Sequence, residues 1–97
     1  MIIVHDIFVC KPGNASKVAK MFKEAMAPDP HTANIMTDVT GQYHRVIMVS
    51  QYKDLTEFEK NLEAMQNPTK EMQEAMKKME GFQDMYISGS REIYRTW

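Results

Sequence analysis

Two stretches of this chain, Ile2–Cys10 (IIVHDIFVC) and residues 43–52 (YHRVIMVSQY), are apolar at odd and even positions alike. Successive side chains of a strand point to opposite faces of a sheet, so a strand apolar on both parities needs cover on both sides. In the first stretch Ile2, Val4 and Phe8 share one face while Ile3, Ile7 and Val9 share the other; in the second, Val46 and Met48 stand opposite Ile47 and Val49. Such strands belong in the middle of a sheet. Two more polar segments read as its edges: residues 33–40, with Thr37 and Asp38, and residues 85–96, with Ser88, Ser90, Arg91, Glu92 and Arg95.

Helical periodicity fills the intervals. Lys11-Pro12-Gly13 ends the first strand, and Asn14 is placed to cap a helix over residues 15–26. Its apolar positions Val18, Met21, Phe22, Ala25 and Met26 recur at three- and four-residue spacing, opposite Lys17, Lys20 and Glu24. Pro28 and Pro30 stop it. Gly41-Gln42 turns the second strand into the third. Asp54 and Glu57 form a capping-box-like pair before a stripe of Leu55, Phe58, Leu62 and Met65. Asn67-Pro68 restarts the helix with proline at its first position; Met72, Ala75, Met76 and Met79 share a face, and Gly81 closes the segment.

The order strand, helix, strand, strand, broken helix, strand is that of an α+β, ferredoxin-like βαββαβ fold. It predicts a four-stranded antiparallel sheet with helices on one face. The 97 residues make one domain, residues 1–97. One cysteine, Cys10, excludes an intrachain disulfide framework. Twelve Lys+Arg against thirteen Asp+Glu leave a net charge of −1 and no basic footprint for nucleic acid. No apolar run reaches the roughly 20 residues of a membrane span, and the first residues lack a basic leader, so a soluble cytoplasmic protein is expected. Helices cover only one face of the sheet. The other apolar face exceeds what soluble monomers leave bare, and a second copy stacked face to face is the economical cover: a homodimer.

Three stretches carry a resemblance: Val9-Cys10-Lys11-Pro12-Gly13-Asn14, Asp54-Leu55-Thr56-Glu57-Phe58-Glu59, and Ser88-Gly89-Ser90-Arg91-Glu92-Ile93-Tyr94-Arg95. With them the chain resembles, over nearly its whole length, the dimeric α+β barrel superfamily, which includes antibiotic-biosynthesis monooxygenase domains, NIPSNAP-like proteins and haem-degrading monooxygenases. The resemblance implies two sheets closing into a barrel in the dimer, and a pocket between sheet and helices in each subunit. Haem-degrading members resemble one another in an Asn on the first strand and a Trp and an axial His among the helices; this chain has none of these there. Polyketide monooxygenases are associated with a pocket Trp, Asn, Tyr and Arg. Here the sole Trp is Trp97, so that set is matched in part at most, by Tyr52, Asn61, Arg91 and Tyr94.

On their own chemistry, His5, Asp6 and Arg91 are the catalytic candidates. His5 is the one histidine inside a central strand, where an imidazole can serve as a base near neutral pH or simply be hydrogen-bonded in place. Adjacent residues alternate faces, so His5 and Asp6 cannot both line one pocket: one serves the pocket and the other faces the dimer interface, the plainer alternative being that Asp6 is paired with Arg45 or Arg91. His44 falls near Cys10, and His31 in a proline-rich loop elsewhere, which leaves no metal-ligand spacing and no cofactor to expect. Ten methionines either fill gaps in a small core or make a pocket adaptable to apolar ligands. Phe22, Tyr52, Phe58, Met65 and Tyr94 are the ligand-contact candidates, with the loop Pro28-Asp29-Pro30-His31 as a lid. The expected function is binding or transformation of a small apolar or aromatic metabolite, in secondary metabolism. The alternatives are cofactor-independent oxygenation of an aromatic, and a non-catalytic interaction dimer.

Overall fold

The computed structural model describes all residues, 1–97. Its elements are β1 (Ile2–Cys10), α1 (Ala15–Ala25), β2 (Thr32–Thr37), β3 (Arg45–Tyr52), α2 (Leu55–Gln66), α3 (Lys70–Lys77), a 3₁₀ turn (Phe82–Asp84) and β4 (Tyr86–Arg95). The sheet runs β2-β3-β1-β4, antiparallel throughout, so the two doubly apolar strands are central as their patterning requires. The molecule is a slab of 36 × 36 × 19 Å, the thickness of one sheet and one helical layer.

Register decides which side chains share a face. Ile2 pairs with Tyr52, Val4 with Ser50, Asp6 with Met48 and Phe8 with Val46. Ile2, Val4, Cys10, Val46, Ser50 and Tyr52 are buried, which marks this parity as the helix-covered side. The core divides in two along it. At one end Cys10, Val46, Val18 and Phe22 are closed by Phe8, Phe82 and Tyr86; at the other Ile2, Val4 and Tyr52 meet Phe58. Only 12 residues are buried, and β4 is exposed along its length except at Tyr86.

Several boundaries differ from the sequence reading. β2 ends at Thr37 and β3 starts at Arg45, so a seven-residue loop replaces the tight turn at Gly41-Gln42. The Asp38 carboxylate accepts the Arg45 N–H at 2.8 Å, taking the place of a ladder bond, and Gly41 and His44 have φ of 98° and 66°. Pro68 is not the first residue of α3. Thr69 caps that helix, its hydroxyl accepting the Met72 N–H at 3.2 Å. α3 ends at Lys77, and turns of 3₁₀ type continue to Gly81, whose φ of 84° breaks them. Asn14 stands at the N-cap of α1 without a side-chain bond, whereas Asp54 accepts the Glu57 N–H at 2.9 Å.

Replacing a working cap is therefore expected to cost stability, and replacing Asn14 is not. Asp54→Ala and Thr69→Ala each lower the unfolding free energy by about 1 kcal/mol, and Asn14→Ala by less than about 0.5 kcal/mol, in urea titrations of the three variants.

The helical layer covers the sheet unevenly. α1 buries Val18, Phe22 and Ala25, but α2 buries no residue and α3 only Ala75. Of the stripe on α2, Phe58 and Leu62 are half-buried while Leu55 and Met65 are exposed. The α2–α3 arm thus stands off the sheet, and a space remains between it and the end of α1.

Candidate functional site

That space is a partly open cavity of about 230 Å³ bounded by the end of α1, the loop after it, α2 and α3. Its apolar wall comes from Met26, Pro28, Ala64, Met65, Met72 and Met76, and its polar wall from Asp29, His31, Asn61 and Thr69 among others. Other hollows are larger but more open, such as one of about 490 Å³ along residues 37–44 lined mainly by loop residues.

The polar wall is built around Tyr52, the last residue of β3, which its parity turns towards the helices. The His31 ring stacks on the Tyr52 ring at 4.5 Å and 24°, and Phe58 meets it edge-on at 5.2 Å. Asn61 Nδ2 donates to the Tyr52 hydroxyl at 3.1 Å. Tyr52 stands behind the cavity; His31 and Asn61, which it orients, line it. The loop is locked by Asp29, whose Oδ1 accepts the His31 N–H at 3.0 Å and whose Oδ2 accepts the Thr32 hydroxyl at 2.7 Å. The Gln51 N–H donates to the His31 carbonyl at 2.9 Å, tying the loop to the sheet. His31 Nδ1 lies 3.2 Å from the Gln51 carbonyl and 3.3 Å from Glu57 Oε1. Both partners are acceptors, which puts the proton on Nδ1 and leaves Nε2 as the accepting nitrogen of the neutral ring.

Burial pushes the Tyr52 phenol above the ordinary tyrosine range, and the Asp29 and Asp6 carboxylates push in the same direction against the Ser50 hydroxyl and Arg91. Tyr52 is accordingly a neutral hydrogen-bonding group at physiological pH. The raised value means the fold favours the neutral phenol. Its stabilisation is complete below the unfolded value of about 10 and is lost as pH rises through the folded value. In ¹³C-tyrosine NMR titrations Tyr52 is expected to ionise above the free-tyrosine range, and Asp29→Asn to lower its midpoint. A Tyr52 midpoint at the free value would contradict the burial described.

Four of the residues singled out in the sequence form one array leading to this wall. Arg91 Nε donates to Asp6 Oδ1 at 2.6 Å, and the Arg91 guanidinium lies 5.5 Å from the Phe58 ring centre, with Phe58 against Tyr52. Met65 lines the cavity itself. Three others lie elsewhere. His5 and Tyr94 meet edge-on at 5.2 Å, and register puts both on the opposite, uncovered face of the sheet. The Tyr94 hydroxyl donates to Glu92 Oε1 at 2.8 Å, a bond that raises its pKa. Phe22 is 2% exposed in the far half of the core, against Phe8 and Phe82, and is not among the cavity's lining residues.

His31 and Asp29 were assigned no chemistry by the sequence. The one local signal was the pattern Pro-Asp-Pro-His-Thr, in which an Asp two and three residues before its partners makes an Asx-type turn between rigid prolines. Nothing local indicates that the loop folds back over Tyr52. No three His, Cys, Asp or Glu side chains converge to hold a metal ion, and no helix is long and apolar enough to cross a membrane.

No family model and no curated protein matches the sequence. Solved structures do match the fold. A NIPSNAP-like domain protein from Burkholderia xenovorans superposes with a TM-score of 0.77 at 19% identity, covering 99% of this chain and 84% of that one. A NIPSNAP family protein from Agrobacterium tumefaciens gives 0.76 at 15% identity, over 99% and 85%. An antibiotic biosynthesis monooxygenase-like protein from Nitrosomonas europaea gives 0.66 at 12% identity, over 99% and 98%. The resemblance noted in the sequence is thus matched by these structural neighbours, and at such identities what they share with this chain is the fold.

Proposed function

We propose that this chain is a cytoplasmic, homodimeric small-molecule-binding protein that seats a small apolar or aromatic metabolite between α1, α2, α3 and the loop bearing His31. The observation that carries the proposal is the partly open cavity with methionines on one wall and, on the other, His31 and Asn61 held by Tyr52. Flexible, polarizable thioethers suit an apolar guest, and a few fixed polar groups orient it. A cavity of about 230 Å³ is below the ~300–1,000 Å³ of drug-sized sites and above the ~150 Å³ that admits benzene, so the guest has one or two rings. Asp6 and Arg91 brace the wall through Phe58, while His5 and Tyr94 face the second subunit.

Titration of ¹³C-methyl-methionine protein with benzyl alcohol tests this. The Met65 and Met72 signals are expected to move while those of Met1 and Met36 stay, and Ala64→Phe, which fills the space, is expected to abolish the shifts. Static cavity methionines would favour a filled interaction dimer instead.

A second reading, oxygenation of an activated aromatic without a cofactor, draws on the Nitrosomonas europaea neighbour and on His31, whose accepting nitrogen belongs to the ring that lines the cavity. It requires oxygen uptake with substrate that is lost in His31→Ala and kept in His5→Ala.

A further inference from the structure

The charge of the cavity wall restricts its guest further than its size does, and this inference rests on the binding role proposed above. Among the thirteen lining residues Asp29 is the one formally charged side chain, and there is no lysine or arginine. Of the polar groups, Asp29 only accepts, while Asn61, Asn67 and Thr69 can both accept and donate. A carboxylate offers about four lone-pair sites, and Asp29 uses one on the His31 N–H and one on the Thr32 hydroxyl. In its neutral form His31 has its Nδ1 proton committed to Gln51 and Glu57, so Nε2 then accepts. Asn61 spends one amide N–H on Tyr52, which leaves its carbonyl and its second N–H. An anionic guest would meet a carboxylate with no cation to offset it, and burying an unpaired charge is costly. A cation would meet the reverse: a carboxylate, two further acceptors, and methionine sulfurs that are soft and polarizable.

We propose that the cavity takes a small apolar amine in its ammonium form, with the cationic head against Asp29, His31 and Asn61 and the hydrocarbon body among Met26, Met65 and Met72. Asp29 is then both the lock of the loop and the anchor of the ligand. Ligand selectivity follows charge first and ring shape second.

Three probes of one ring and matched size separate these effects: benzylammonium, benzyl alcohol and benzoate. They are titrated into ¹³C-methyl-methionine protein at about pH 8, above the ordinary histidine range. Benzylammonium is expected to bind about tenfold more tightly than benzyl alcohol, and benzoate at least about tenfold more weakly than the alcohol. Asp29→Asn keeps an oxygen for the His31 N–H and is expected to bring benzylammonium down to the level of the alcohol.

Equal binding of the three probes with moving cavity methionines would overturn the charge preference while the binding role stands. Tightest binding by benzoate, or a preference for benzylammonium undiminished in Asp29→Asn, would overturn it too. If no probe moves those methionines, the binding role itself falls and the preference with it. The wild-type series decides the charge question without the variant, should Asp29→Asn weaken the loop.

Discussion

Phe22→Ala is expected to lower the unfolding free energy by about 3–5 kcal/mol, out of the roughly 5–15 kcal/mol that a domain of this size possesses. Phe22 is 2% exposed, and its ring meets Phe8 at 5.1 Å and Phe82 at 5.4 Å, both edge-on. Truncation removes its apolar burial, two favourable aromatic contacts and the support beneath the 3₁₀ turn that carries Phe82. With few buried residues in the whole chain, little can collapse into the hole. At 4–8 °C per kcal/mol for domains of this length, the melting temperature falls by about 12–40 °C. Urea unfolding followed by near-ultraviolet circular dichroism measures both. The milder Phe22→Leu should stay folded and leave the cavity methionine signals responsive to benzyl alcohol, because Phe22 lies in the other half of the core. A stability loss under about 1 kcal/mol for Phe22→Ala would contradict its place as a core residue.

Ile7→Asp is expected to change the oligomeric state and spare the fold. Ile7 pairs with Ile47 on the face that no helix covers. Ile3, Val9 and the exposed Met36 share that surface, as does Tyr94 at 47% exposed. In the proposed dimer, sheet packs on sheet, and one aspartate per subunit would bury two like charges in the interface. Unpaired buried charges cost several kcal/mol, so the dimer dissociation constant should rise by about a thousandfold or more. Each subunit keeps its helix-side core, and its own stability should change by about 1 kcal/mol at most. Sedimentation equilibrium at micromolar concentration distinguishes the outcomes: a dimer for the parent chain and a monomer for Ile7→Asp. A parent chain that is monomeric there would remove the sheet-face dimer, while the cavity, built within one subunit, would remain.

The two predictions probe opposite faces of the same sheet, and register assigns residues to those faces. Ile7 and Phe8 are neighbours in sequence, yet Phe8 packs on Phe22 while Ile7 looks away from every helix. The same alternation separates Asp6, ion-paired to Arg91 at 2.6 Å under the helices, from His5, which meets Tyr94 on the bare side. One polar residue of β1 thereby belongs to the wall behind the cavity and the other to the face that no helix covers.

Local pattern carried most of the architecture. Period-two alternation, period-3.6 stripes and cap residues depend on side chains a few positions apart, so the strand order, the central places of β1 and β3, the Asp54 cap and the separation of His5 from Asp6 were all legible in the chain. Loop geometry was less so. The β2–β3 connection reads as a two-residue turn until the Asp38 side chain is seen taking a backbone N–H seven residues on. The site was legible only in pieces: Tyr52, Phe58, Asp6, Arg91 and Met65 could each be picked out by residue type, but not their arrangement. That His31 lies flat on Tyr52, 21 positions away, is a product of the loop folding back onto the sheet edge. The cavity in turn exists because α2 and α3 stand off a sheet whose core α1 already closes. Those are facts of long-range packing, in which distant surfaces compete for the same space, and no periodicity within a segment encodes the result.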